Sequence, residues 1–249
     1  MMQLVNYMLD EESEKIEIKK HSATVQIGNK IAAQQRKIYN ALLHIGRESL
    51  SYDVHTELFS MKQIDLKRLC GDASTNNKQL QENLKGLMST IVEFNILKEN
   101  NKSKWHATTL LSEASIENGR VYFAFAPTVK KTLLHPEYYV LLDLNIIKGL
   151  NSKYAIALYE NARNFLDKGF PRLEIAMFRK LMGVEDNKYK NFADFKKRVI
   201  DPSVEEVNQK TDMMIEYELF KEGRRFSHIE FKMKTQEFPT EAILEAQLL

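Results

Sequence analysis

A single cysteine, Cys70, occurs in 249 residues, so neither an internal disulfide nor a multi-cysteine zinc site can be built. Its expected role is core filling in a reducing compartment. Glycine and proline are scarce, at 9 and 5 residues, which argues against low-complexity linkers and for dense, element-rich structure. No run of about 18 apolar residues offers a membrane span. The opening segment mixes Glu, Lys, Asp and His and lacks the charged start, apolar middle and small-residue cleavage site of an export signal. A cytoplasmic protein is expected. Charge of one sign is not in excess either: 36 basic and 34 acidic side chains leave +2, so any nucleic-acid binding must rest on local patches.

The length suits two small domains at roughly 100 to 200 residues each. Residues Met1 to Glu17 show little periodicity, and Asp10, Glu11, Glu12 and Glu14 mark an arm to which no fold is assigned. Ile38, Ala41, Leu42 and Ile45 recur at helical spacing, with Gly46 placed as a helix terminator. Phe59 to Leu69 lead through a short extended piece into a second helix ending near Cys70 and Gly71. Leu80, Leu84, Leu87, Met88 and Ile91 form the apolar stripe of a third. Val92, Phe94 and Ile96, a polar turn, and Trp105 to Leu111 read as a β-hairpin, and Asn118 and Gly119 mark another before the strand Val121 to Phe125. Three helices followed by a hairpin is the order of a winged-helix domain.

That order repeats at a shift of about 112 residues. Leu66 to Gly71 correspond to Phe178 to Gly183, Leu80 falls on Phe192, Leu87 on Val199 and Val92 on Val204. Tyr154, Leu158 and Ala162 begin the second copy, and Met214 to Phe220 with Phe226 to Met233 close it as a hairpin. Tyr138 to Leu150 joins the copies as a short strand. The expected fold is α+β, two tandem winged-helix domains, with an arm at 1–30, domains at 31–137 and 138–234, and a tail at 235–249. Ala242, Ile243, Leu244 and Leu248 in the tail read as a short amphipathic helix.

No phosphate-cradling GxxxxGK[ST] loop and no GxGxxG turn is present, so no cofactor is expected. The histidines at 21, 44, 55, 106, 135 and 228 are scattered, with no metal-binding pair. Catalysis has no visible carrier. In the third helix of the second copy, Lys188, Lys190, Lys196, Lys197 and Arg198 crowd against only Asp194. At about 100° per residue, Phe192, Phe195, Val199 and Ser203 share one face and leave Lys190, Asn191, Asp194, Lys197 and Arg198 opposite. Lys and Arg can pair with guanine or phosphate, Asn with adenine, and a carboxylate with cytosine N4. A merely solvated face explains such a helix equally well. The groove reading gains from Arg224 and Arg225 beside Gly223 at a wing tip, and from a paler first copy with Lys78, Gln81 and Lys85 on the helix and Lys102 and Lys104 at its wing. Glu82 and Gly86 dilute that first face. Tyr122, Phe123 and Phe125 suggest stacking on single strands, yet strand-face packing explains them more cheaply.

Leu150 to Ala155, then Leu158, Tyr159 and Glu160, then Phe192, Phe195, Lys196, Val199, Pro202, Glu206, Val207, Asn208, Thr211 and Asp212, and finally Gly223, Arg224, His228, Ile229 and Phe231 form a combined pattern. It resembles the replication initiator (Rep) proteins of iteron plasmids, most densely from Leu150 to Phe231. The resemblance implies a non-enzymatic bacterial initiator that binds direct repeats of an origin as a monomer and an inverted operator repeat as a dimer, repressing its own gene. It implies base readout by the second domain, with Asn191 and Lys197 at the matching positions, and host partners such as a helicase or helicase loader. Asn191 departs from the arginine often found there. Beside it stand a winged-helix repressor that never starts replication, a nicking enzyme using a tyrosine such as Tyr138 or Tyr159, and a protein-interaction module.

Overall fold

The computed structural model describes residues 16–21, 31–72, 77–93, 107–134 and 139–237. The first module begins with β1 (Glu17–His21) and the long helix α1 (Ala33–Tyr52), followed by β2 (Phe59–Lys62), α2 (Gln63–Cys70) and α3 (Asn77–Ser89). Two antiparallel strand pairs come next, β3 (Ile91–Glu93) with β4 (Ala107–Thr109) and β5 (Leu111–Glu117) with β6 (Arg120–Phe125). Helix α4 (Pro127–Leu134), β7 (Tyr139–Asp143) and α5 (Leu144–Gly149) lead onward. The second module comprises α6 (Lys153–Phe165), β8 (Leu173–Glu174) and α7 (Ile175–Leu181). Its last helix runs without a break from α8 (Phe192–Phe195) through a π-helical turn (Lys196–Ile200) into α9 (Asp201–Lys210), before β9 (Met213–Glu222) and β10 (Arg225–Thr235).

The duplication is visible in backbone detail. Strand order β2-β6-β5 in the first module repeats as β8-β10-β9 in the second, antiparallel throughout. Gly71 and Gly183 end α2 and α7 in the left-handed region, at φ +66 and +67. Each is followed by a six-to-one closing bond, Asp72 N to Lys67 O at 2.9 Å and Val184 N to Arg179 O at 3.0 Å. This cap satisfies helix-end carbonyls that would otherwise lack donors, and glycine adopts it without steric cost. Leu66 and Phe178, the matched residues upstream, are both fully buried.

Three sequence expectations change. Gly46 does not end the first helix, which continues to Tyr52. A Cβ at Gly46 would lie 2.4 Å from the Phe125 ring, so glycine there permits close packing of α1 on β6. Phe125 itself packs against Phe59 and Phe123, at ring separations of 5.3 and 5.4 Å. Gly46→Ala should therefore destabilise the protein by about 1–3 kcal/mol of overpacking, offset in part by roughly 1 kcal/mol of helix propensity. Thermal unfolding measures the difference.

The segment assigned to an arm also contributes structure. Glu17–His21 pairs antiparallel with β7, Ile18 opposite Leu142 and Lys20 opposite Val140, and both Ile18 and Lys20 point inward. The third change concerns the first wing. By strand order, the counterpart of β9–β10 is β5–β6, whose two-residue Asn118-Gly119 turn has φ +48 and +72, and not the separate β3–β4 pair. Lys102 and Lys104, placed at that wing, lie outside the described residues, as do Phe94 to Ile96, Trp105 and the tail helix at Ala242 to Leu248.

The modules share a buried junction. Glu160 of α6, fully buried, accepts from Lys20 Nζ at 2.9 Å, Arg36 Nη1 at 2.8 Å and Asn40 Nδ2 at 2.7 Å. Strand β1, helix α1 and helix α6 thus meet at one carboxylate. Burial alone would push that carboxyl up, but Lys20, Arg36 and the Asn40 amide outweigh it and hold it below its ordinary range. Lys37 adds a second tie, donating to the Lys148 carbonyl at 2.6 Å. No helix among the described residues is long and apolar enough to cross a membrane.

Candidate nucleic-acid interface

The inner face of the last helix forms as its spacing predicts, with Phe195, Val199 and Ser203 buried and Phe192 partly so. Lys190, Asn191, Asp194, Lys197 and Arg198 are all exposed on the other side. Their placement differs in detail from a uniform helix. Lys188 and Lys190 precede the helix, and Asn191 is its N-cap, with Oδ1 accepting from Ala193 N at 2.8 Å. Asparagine is favoured there because its side chain satisfies an orphan amide. One acceptor of Asn191 is thus already engaged, so its bidentate adenine role competes with capping.

The π-helical turn places Lys197 and Arg198 inside a widened stretch of backbone, a local feature often found at functional sites. Lys196 lies at its start and is not part of the open cationic set: its Nζ pairs with Asp201 at 2.8 Å, and the Tyr217 hydroxyl also donates to Asp201. The bond to Asp201 draws the Lys196 ammonium above its ordinary value. Burial pushes Asp201 up, but hydrogen bonds from Lys196 and Tyr217 prevail and its carboxyl falls below the usual range.

The wing is attached to this helix by an aromatic stack that the sequence reading missed. Phe226, next to Arg225, lies on Phe192 with centroids 4.5 Å apart and planes at 28°. Lys221 caps the stack, its Nζ 4.8 Å from the Phe226 centroid. Gly223, at φ +61, closes the turn, and Arg224 and Arg225 stand exposed at the tip. A cationic helix face and a cationic wing are therefore brought together on one side of the second module. Alternation in β10 was the available signal, since Phe226 and His228 share a sheet face only if no bulge intervenes, and the register shifts between them.

In the first module Lys78, Gln81 and Lys85 are exposed on α3, with Lys85 Nζ 3.5 Å from Glu82. Gly86 belongs to the packed side instead of the open face, because a Cβ there would meet Gln35 Nε2 at 2.0 Å. Phe123 and Phe125 are core residues, which removes them as stacking platforms. Tyr159, the tyrosine offered as a nicking nucleophile, is fully buried in α6, and burial pushes its hydroxyl well above its ordinary value; Tyr138 lies outside the described residues. Cys70 is buried, and burial pushes its thiol up to about 12, in keeping with a packing role. Among the described residues no group of three His, Cys, Asp or Glu side chains could hold a metal ion.

Two modules of this topology, each with a buried-faced third helix and an antiparallel wing, define a tandem winged-helix protein. Residues 17–163 match the family described as "Initiator Replication protein, WH1", and residues 174–233 match "Initiator Rep protein, WH2". The chain belongs to this family of replication initiators, a DNA-binding class. Among solved structures it is similar to "SeMet derivatives of domain2 and domain 3 of RctB", with a TM-score of 0.52 and 11% identity over 81% of this chain and 82% of that one. A second structure, of RctB domains 2-3, gives a TM-score of 0.44 at 10% identity, covering 85% of this chain and 84% of that chain. At 11% identity the first of these likenesses is one of fold. No curated protein matches the chain.

Proposed function

We propose that the chain starts replication of a bacterial plasmid by binding direct repeats at the origin, without enzymatic chemistry of its own. The observation that carries this reading is the joined surface of Lys190, Lys197, Arg198, Arg224 and Arg225, held as one unit by the Phe192–Phe226 stack. Helix residues supply base contacts and wing arginines grip phosphate or the minor groove. Lys78, Gln81 and Lys85 of the first module add weaker contacts in the monomer. The same chain as a dimer, in equilibrium with the monomer, binds an inverted operator repeat and represses its own gene. A helicase or helicase loader of the host is the partner recruited to the origin. Membership of the initiator family supports this reading over a repressor that never starts replication.

The decisive experiment places the gene's flanking DNA on a plasmid lacking any other origin and supplies the protein in trans. Replication only in its presence is expected, with footprints recurring at about one helical turn or a multiple of it. Specific footprints without replication would instead establish the repressor.

A further inference from the structure

Between α7 and α8 the chain makes a turn that side-chain-bearing residues avoid: Tyr189 sits in the left-handed region at φ +50. Such a conformation persists only where the surroundings over-determine it. Arg179 of α7 is one of these surroundings. Its Nη1 donates to the Tyr189 carbonyl at 2.9 Å and its Nη2 to the Lys188 carbonyl at 2.5 Å. The same guanidinium lies 4.6 Å from the ring centroid of Phe195, the buried anchor of α8. Further support comes from Tyr154, edge-on to the Tyr189 ring at 6.5 Å, and from Glu185, which pairs with Lys188 at 2.9 Å.

We infer that Arg179 is a positioning residue for duplex recognition: its fork, stacked on Phe195, holds two successive carbonyls and so fixes Lys190 at a set offset from Lys197 and Arg198. The inference rests on the duplex-binding reading above and names what makes the second module the selective one. Only a planar guanidinium can hold two carbonyls and stack at once, whereas an ammonium offers a point charge. At the matching position of the first module stands Lys67, so that module lacks the fork. Arg179 is half-buried and spends its guanidinium on the turn and on the Phe195 ring, which makes its role one of geometry.

The test begins by selecting duplexes from a random-sequence pool with the unaltered full chain. Affinity for the selected and for a scrambled duplex is then measured for R179K, K190A and the double variant, together with thermal midpoints. R179K should stay folded and keep its affinity for scrambled DNA while losing about tenfold of its preference for the selected duplex. K190A should cost less in the R179K background than in the unaltered chain, because a displaced turn has already withdrawn that lysine. Full preference in R179K, equal losses on both duplexes, or strictly additive losses in the double variant would overturn the inference; the additivity result decides even where R179K lowers stability. Failure of the unaltered chain to select any consensus would overturn the duplex-binding reading itself, and the inference with it.

Discussion

Lys197→Glu is expected to abolish sequence-specific binding. Lys197 is exposed in the π-helical turn at the middle of the cationic face, and the substitution replaces an attractive contact by repulsion. Losing a base or phosphate contact costs about 1–3 kcal/mol, and reversing the charge beside phosphate adds to it, so affinity at moderate salt should fall by about a hundredfold or more. Because one phosphate contact is lost, the slope of log K against log salt should flatten by roughly one. Gel shifts across a salt series give both quantities. Lys78→Ala in the first module should weaken binding only about two- to fivefold, as the loss of one phosphate contact would. Equal losses from the two variants would refute the ranking of the modules.

The second large effect concerns the junction. Glu160→Gln should destabilise the protein by about 3–5 kcal/mol, because it leaves the Lys20 and Arg36 cations buried without their counter-charge. That is a large share of the roughly 5–15 kcal/mol typical of a folded protein, and urea unfolding would record it as an earlier midpoint. Replacing Glu160, Lys20 and Arg36 together by apolar residues should recover much of the loss, since the desolvation cost goes with the charges. The carboxyl also carries a pH signature. Its folded value lies below the ordinary 4.5, so the unfolded chain binds more protons in the interval between the two. Stability from this group is complete above 4.5 and is lost as pH falls through the folded value; Glu160→Gln should lack that acid-side decline.

The sequence carried the duplicated plan well, because it rests on apolar spacing and on paired glycines whose backbone role is local. Leu66 with Phe178, and Gly71 with Gly183, are legible for that reason. The outward set Asp194, Lys197 and Arg198 was legible too, since helical phase follows from the buried Phe195 and Val199. Other features depend on contacts distant in the chain. Nothing around Gly46 announces the Phe125 ring that keeps the helix running past it, and nothing around Lys20 announces Glu160, 140 positions away. A strand of five residues that turns a lysine inward reads as a polar arm. Asn191 reads as helical face or as cap according to where the helix starts, a boundary that spacing alone leaves open by a residue or two.

The junction bears on what kind of ruler the protein is. Helix α6 is held to β1 and α1 through Glu160 and also packs against α9, so the two halves share one helix instead of hanging on a slack tether. Duplex DNA is a screw of about 10 base pairs per turn, so inserting five between two half-sites carries the second to the far side of the cylinder. A rigid calliper of this kind would tolerate errors of spelling at single bases better than errors of phase.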